Sequence, residues 1–256
     1  MKLTITIHLD NRPLTLPVAH HHILYSIFKD LAGDKLDIHD EGYHYGKRNY
    51  KLFTFGPIVG NKRHYDEISK KISFYSEITI EFRAWNPEVV RAVKENIESK
   101  GIRFGENIYT DISCETMEGK ISADSIVIDM LSPICVYKTY ESIIGGKKKR
   151  TKYFVPDTEE FKSAIVDNFR RKYSAATGQE PIADICFETV KFNRKTDKEV
   201  TFYMKTNKET GETVNNVIEA YNGIYRLKGM PEYLTFLYDT GLGAKNSAGF
   251  GMFRVL

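Results

Sequence analysis

Three side chains in the first 51 residues, Tyr25, His39 and Lys51, are of types that move protons and steady charge. The ordinary histidine pKa of about 6.5 keeps both protonation states populated near neutrality. A tyrosine can orient a group or donate a proton, and a lysine carries a fixed positive charge. Breaking a phosphodiester by its own neighbouring hydroxyl, without a metal, asks for those three services: a base, an acid and a cation. Each proton-transfer group is worth roughly 10²–10⁴ in rate. The same stretch holds alternatives in His44 and Lys29, with Tyr43, Tyr45, Lys47 and Arg48 close by. Every one also has an ordinary reading: a half-buried helix tyrosine, an exposed loop histidine, a solvated lysine at a strand end.

A second stretch invites a polyanion. Gly241, Gly243, Lys245, Asn246, Ser247, Gly249 and Gly251 crowd into eleven residues before the apolar ending Met252–Leu256. Glycine lacks the Cβ that forbids unusual dihedrals, so such a run can curl and bring its backbone N–H groups close to another chain. Nucleotide loops fail on spacing. A P-loop needs glycine before its lysine, and Ala244 stands there; a dinucleotide fingerprint needs a third glycine where Asn246 sits and a strand–helix–strand unit around it. A ligand-free glycine-rich hairpin is the plain alternative.

Further basic groups cluster at Lys147, Lys148, Lys149 and Arg150, at Arg170, Arg171 and Lys172 on a predicted helix, and at Arg194 and Lys195. They are candidates for gripping a phosphate backbone or simply solvated faces. His20, His21 and His22 are adjacent, so on a helix they point in different directions and make a poor metal site; a helix-entry or contact role fits them better. His64, with Lys62 and Arg63, is expected at an exposed hairpin tip.

These residues need positioning. Period-two alternation predicts a strand over 2–9, and Ile23, Leu24, Ile27, Phe28 and Leu31 fall on one helical face ended by Gly33. A strand over 50–55 follows, then a turn around 60–64 and a strand over 73–85. Pro87 opens a helix closed by Gly101, and strand material runs from 102 to about 117. The order β-α-β-β-α-β is the ferredoxin-like one. It recurs more weakly in the second half: a strand over 125–136, a helix capped near Asp157, strands over 183–192 and 211–228, a short helix from Pro231 and a closing strand over 250–255. The expected fold is therefore α+β, with two tandem ferredoxin-like (RRM-like) domains, 1–120 and 121–256, and a glycine-rich loop near the carboxyl end. One α+β domain with insertions is the competing architecture.

Composition narrows the class. With 41% hydrophobic and 28% charged residues the chain reads as an ordinary globular protein. No apolar run reaches the ~18 residues of a membrane helix. The three cysteines, Cys114, Cys135 and Cys186, lie far apart, which argues against zinc and disulfide frameworks and for a cytoplasmic setting. Net charge is only +3, but the first 118 residues carry 16 basic and 17 acidic groups against 21 and 17 in the rest, so the excess is in the second half.

The glycine-rich stretch resembles the loop of the RAMP superfamily of RNA-binding proteins, most closely that of the CRISPR-associated endoribonucleases that cut precursor RNA within its repeats. Leu24-Tyr25-Ser26, Ile38-His39-Asp40-Glu41 and Lys51-Leu52-Phe53-Thr54 are similar to the contexts in which some of that family carry a tyrosine, a histidine and a lysine. The resemblance implies two ferredoxin-like domains, with His39 as general base, Tyr25 positioning or protonating, and Lys51 stabilising the phosphorane. His44 can replace or assist His39. It further implies CRISPR repeat RNA as partner, no cofactor or metal, and products ending in a 2′,3′-cyclic phosphate and a 5′-hydroxyl. A CRISPR effector complex and a second copy of the chain are further partners it leaves open. A non-catalytic subunit that only holds processed RNA is the alternative within the superfamily.

Overall fold

A computed structural model describes residues 1–10, 12–33, 42–142, 148–206 and 213–256. His39 and Lys147 lie outside the described residues, as do the side chains of Lys148 and Lys149. The first half builds a six-stranded sheet around β1 (Lys2–His8), β2 (Phe53–Phe55), β3 (Lys71–Ala84) and β4 (Ile112–Met117), ordered β4–β1–β3–β2 and antiparallel throughout, with Leu14–Pro17 and Val59–Asp66 added along the first part of β3. Helices α1 (His21–Ala32) and α2 (Pro87–Lys100) form the crossovers. In β1, Leu3, Ile5 and Ile7 are fully buried while the residues between them face outward, as a strand with one covered face requires. Leu24, Phe28 and Leu31 of α1 and Val89, Val90, Val93 and Ile97 of α2 lie buried in the same core. Each such side chain contributes about 1.5–3 kcal/mol on leaving water. Asn86 caps α2, its Oδ1 accepting from the Glu88 amide at 3.0 Å.

The second half repeats the circuit. Its sheet is ordered β6–β7–β5–β8, from β5 (Ser125–Met130), β6 (Cys186–Lys191), β7 (Ile224–Lys228) and β8 (Phe253–Val255). Helices α3 (Glu159–Thr177) and α4 (Pro231–Thr240) complete it. Both halves thus have the ferredoxin-like strand order. Among the described residues four hairpins stand apart from these sheets: Tyr43–Tyr45 with Arg48–Tyr50, Ile102–Phe104 with Asn107–Tyr109, Tyr137–Ser142 with Lys148–Tyr153, and Lys198–Thr206 with Thr213–Tyr221. No helix among the described residues is long and apolar enough to cross a membrane.

Several local expectations shift. The turn expected at 60–64 is strand, Val59–Asp66, paired with the amino-terminal part of β3, and His64 lies on it, exposed. The chain reverses at 67–70 instead, where Asp66 Oδ1 accepts from the amides of Ile68 at 2.9 Å and Ser69 at 3.2 Å. An aspartate that binds backbone two and three residues on makes a turn that alternation cannot show. The cap of α3 falls in the expected 157–160 stretch, at Thr158, with Glu159 and Glu160 in the first turn, while the Asp157 carboxylate is occupied by Arg194. The expected strand over 211–228 breaks at Asn222-Gly223 into two.

The two sheets meet at Arg83, 1% exposed on β3. Its Nη1 donates to the carbonyls of Phe253 at 2.8 Å and Tyr238 at 3.3 Å, and its guanidinium lies 3.7 Å from the Tyr238 ring centre. Glu81 balances the charge through Nε and Nη2. The amino terminus adds an ion pair with Asp239 at 2.7 Å.

Candidate functional site

Lys51 stands at a bend. The expected strand over 50–55 is interrupted there, because Leu52 takes a left-handed conformation with φ 44°. For a residue with a Cβ that costs roughly 1–2 kcal/mol. The bend sends Leu52 into the second core while Phe53 enters the first. It also carries Lys51 toward α1, where its Nζ donates to the hydroxyl of Tyr25 at 2.8 Å and lies 5.3 Å from the ring centre. Strain of this kind persists only where surrounding packing holds it, here Leu52 buried at 5% exposure and the Trp85 amide donating to the Leu52 carbonyl at 3.1 Å.

Lys51 lines a cleft of about 1120 Å³. Arg48, Lys138, Arg171, Lys245, Asn246 and Ser247 share the lining, and Glu159, Glu160 and Asp167 face it from α3. Among the expected alternatives, Lys29 is half-buried one turn beyond Tyr25 on α1, and His44 is exposed on the short hairpin Tyr43–Tyr45 with Arg48–Tyr50. Lys138 carried no signal in the sequence. It joins the cleft because the hairpin that bears it folds over this side.

The glycine loop is largely interior. The amides of Leu242, Ala244 and Gly251 donate to the carbonyls of Gly251, Cys135 and Pro133 at 2.8–2.9 Å. Asn246 is 8% exposed, and its Nδ2 donates to the Leu242 and Phe250 carbonyls at 3.1 and 3.0 Å. A Cβ on Gly251, at φ 77°, would stand 2.0 Å from the Leu242 carbonyl oxygen, and one on Gly249 would stand 2.5 Å from the Phe55 ring. The glycines therefore serve close approach to the protein's own backbone and to the first domain. Gly241 and Gly243 are buried in the same way, and the polar side chains the loop turns outward are Lys245 and Ser247, both partly exposed beside Ala244 and Ala248. Lys245 Nζ sits 5.2 Å from the Tyr137 ring centre.

The first turn of α1 packs on this loop. His21 lies edge-on to Phe250 with ring centres 5.2 Å apart, and burial lowers its pKa from 6.5 to about 4. His20 Nδ1 lies 3.0 Å from the Pro17 carbonyl, and its pKa is also lowered by burial. The three basic residues 170–172 diverge, as neighbours 100° apart on a helix must. Arg170 forks onto Asp184, Arg171 reaches Asp167 at 3.1 Å, and Lys172 turns inward at 3% exposure, so the expected solvated or gripping face does not include it. Arg194 forks onto Asp157 at 2.8 Å through two nitrogens and does not line the cleft. Arg150 is exposed on the basic hairpin, opposite Tyr140.

Two ferredoxin-like sheets in tandem, with a glycine-rich loop between α4 and β8 beside a basic cleft, place the fold in the RAMP class. The family model described as CRISPR associated protein Cas6, C-terminal, matches residues 114–255, and the chain belongs to that family. The CRISPR-associated endoribonuclease Cas6 of Pyrococcus furiosus is 26% identical over 209 residues, 80% of this chain and 70% of the relative. A solved structure described as an RAMP protein binding different RNA substrates gives a TM-score of 0.76 at 21% identity, covering 100% of this chain and 99% of that one. Another, described as CRISPR associated protein Cas6, gives 0.71 at 19%, with coverage of 100% and 99%. At these identities the solved structures establish the fold.

Proposed function

We propose that this protein is a metal-independent endoribonuclease that binds CRISPR repeat RNA and cuts precursor transcripts into guide RNAs. The observation that carries the reading is the 2.8 Å contact between Lys51 and Tyr25, with Lys51 lining the cleft that Lys245 and Ser247 also face. A phosphodiester placed between them meets a cation and a phenol from one side and the loop lysine from the other. His39 takes the proton of the 2′-hydroxyl, the 2′-oxygen attacks phosphorus, and Lys51 balances the extra phosphorane charge. The 5′-oxygen departs with a proton from Tyr25 or from protonated His39. The products are a 2′,3′-cyclic phosphate and a 5′-hydroxyl. The name of the Pyrococcus furiosus relative, and the description of the RAMP neighbour as binding different RNA substrates, support this reading.

The test is repeat RNA incubated with the protein in excess EDTA. Cleavage should proceed, should fall by roughly 10²–10⁴ in His39→Ala, and should stop when the nucleotide before the cut is 2′-deoxy. Tight, salt-sensitive binding without any cutting would assign the chain instead to RNA-holding subunits of effector complexes. Loss of cleavage under chelation would overturn the metal-free mechanism.

A further inference from the structure

Lys172 has no place in the chemistry above, yet its surroundings are unusual for a lysine. It lies under the glycine loop, 3% exposed, with its ammonium against three oxygens: the Gly241 carbonyl, Asn246 Oδ1 at 3.1 Å and Thr240 Oγ1 at 3.4 Å. All three accept. The Thr240 hydroxyl proton is directed to the Phe236 carbonyl at 2.9 Å, so its oxygen presents lone pairs to the lysine. Asn246 cannot turn its amide round, because Nδ2 is held by the Leu242 and Phe250 carbonyls. Three acceptors call for three N–H donors, which only the ammonium form offers. No carboxylate is among these partners, and burial alone pushes the lysine pKa down to about 7. A buried cation without a counter-ion is costly, and dipoles of the loop are what offset it here.

We propose that Lys172 is a positioning residue: it clamps Gly241 and Asn246 from below and so holds the glycine loop in the shape that presents Lys245 and Ser247 to an RNA phosphate. The proposal rests on the RNA-binding reading above, and it explains why Asn246, a loop residue expected to face RNA, faces inward. The lysine, Lys245, Asn246 and Ser247 all border the same cleft, so an RNA phosphate there also brings negative charge near the uncompensated ammonium. The clamp links the second domain's α3 to both ends of the loop, at Gly241 and, through Asn246, at Phe250.

The experiment compares wild type with Lys172→Met, which preserves side-chain length and removes the donors. Hydrogen exchange of the RNA-free proteins is followed at the Leu242, Ala244 and Gly251 amides, and binding is measured with repeat RNA carrying a 2′-deoxy block. Loop exchange should rise at least tenfold, affinity should fall about tenfold, and in cleavage the loss should fall on KM rather than kcat. Exchange and affinity both within twofold of wild type would overturn the clamp. If Lys172→Met does not fold, Lys172→Gln, which keeps two amide donors, is read the same way, with a smaller rise expected. Wild type that fails to bind RNA would sink the functional reading, while the exchange measurement still decides the clamp.

Discussion

The glycine loop and the arginines of α3 and its neighbourhood look alike in the sequence, both polar, basic and open to solvent. In the structure they part. The loop is laid inside, its amides and Asn246 bound to carbonyls of the second half, and its polar side chains turned outward are Lys245 and Ser247. Arg170, Arg171 and Arg194 stay at the surface, each neutralised by an aspartate. A polar run rich in glycine is buried when its backbone can find partners, because glycine permits the close approach that satisfies them. Long charged side chains stay out because leaving water costs them more than a surface partner returns.

That contrast can be broken by substitution. The largest effect is expected at Gly251→Ala, where left-handed strain of about 1–2 kcal/mol adds to an overlap with the Leu242 carbonyl. Denaturant unfolding should show a loss of roughly 2–5 kcal/mol, combining that strain with overpacking of about 1–3 kcal/mol. Gly178→Ala, also at positive φ but with nothing within 4 Å of the added carbon, should lose only the strain. Equal losses at the two would mean the loop is not tightly packed.

Acid should loosen the loop next. The His21 pKa is lowered in the fold to about 4 from 6.5, so the unfolded chain binds the proton first as pH falls. Its contribution is complete above pH 6.5 and is lost as pH drops through 4, amounting to at most about 3 kcal/mol. His21→Phe should flatten the stability curve across that interval, measured by unfolding at pH 7 and pH 4.5.

RNA affinity sharpens the comparison further. Lys245→Ala should weaken binding several-fold and lower the slope of log affinity against log salt by about 1, as loss of one phosphate contact does. Arg194→Ala should give the smallest change, within about 0.5 kcal/mol in stability and within twofold in affinity, read in the same titration. An Arg194 effect as large as that of Lys245 would put RNA on the face where Arg194 is paired with Asp157.

Much of this protein was legible one residue at a time. Alternation in β1, the helical faces of α1 and α2, Pro87 and the order of elements are local properties, and the ferredoxin-like circuit in each half follows from them. The closeness of Tyr25 and Lys51 was expected from resemblance alone, since no local pattern foretells the left-handed bend at Leu52 that brings them within hydrogen-bonding distance. Periodicity also missed the Asp66 turn, a single side chain competing for backbone amides. Only the tertiary structure could give Arg170, Arg171 and Lys172 three different fates. Helix geometry separates neighbours, but which direction meets an aspartate, and which meets the underside of a loop seventy residues away, depends on how α3 is seated against α4 and the closing strand. Burial is a property of the assembled fold, and it is burial that turns a lysine from a surface cation into part of the scaffold.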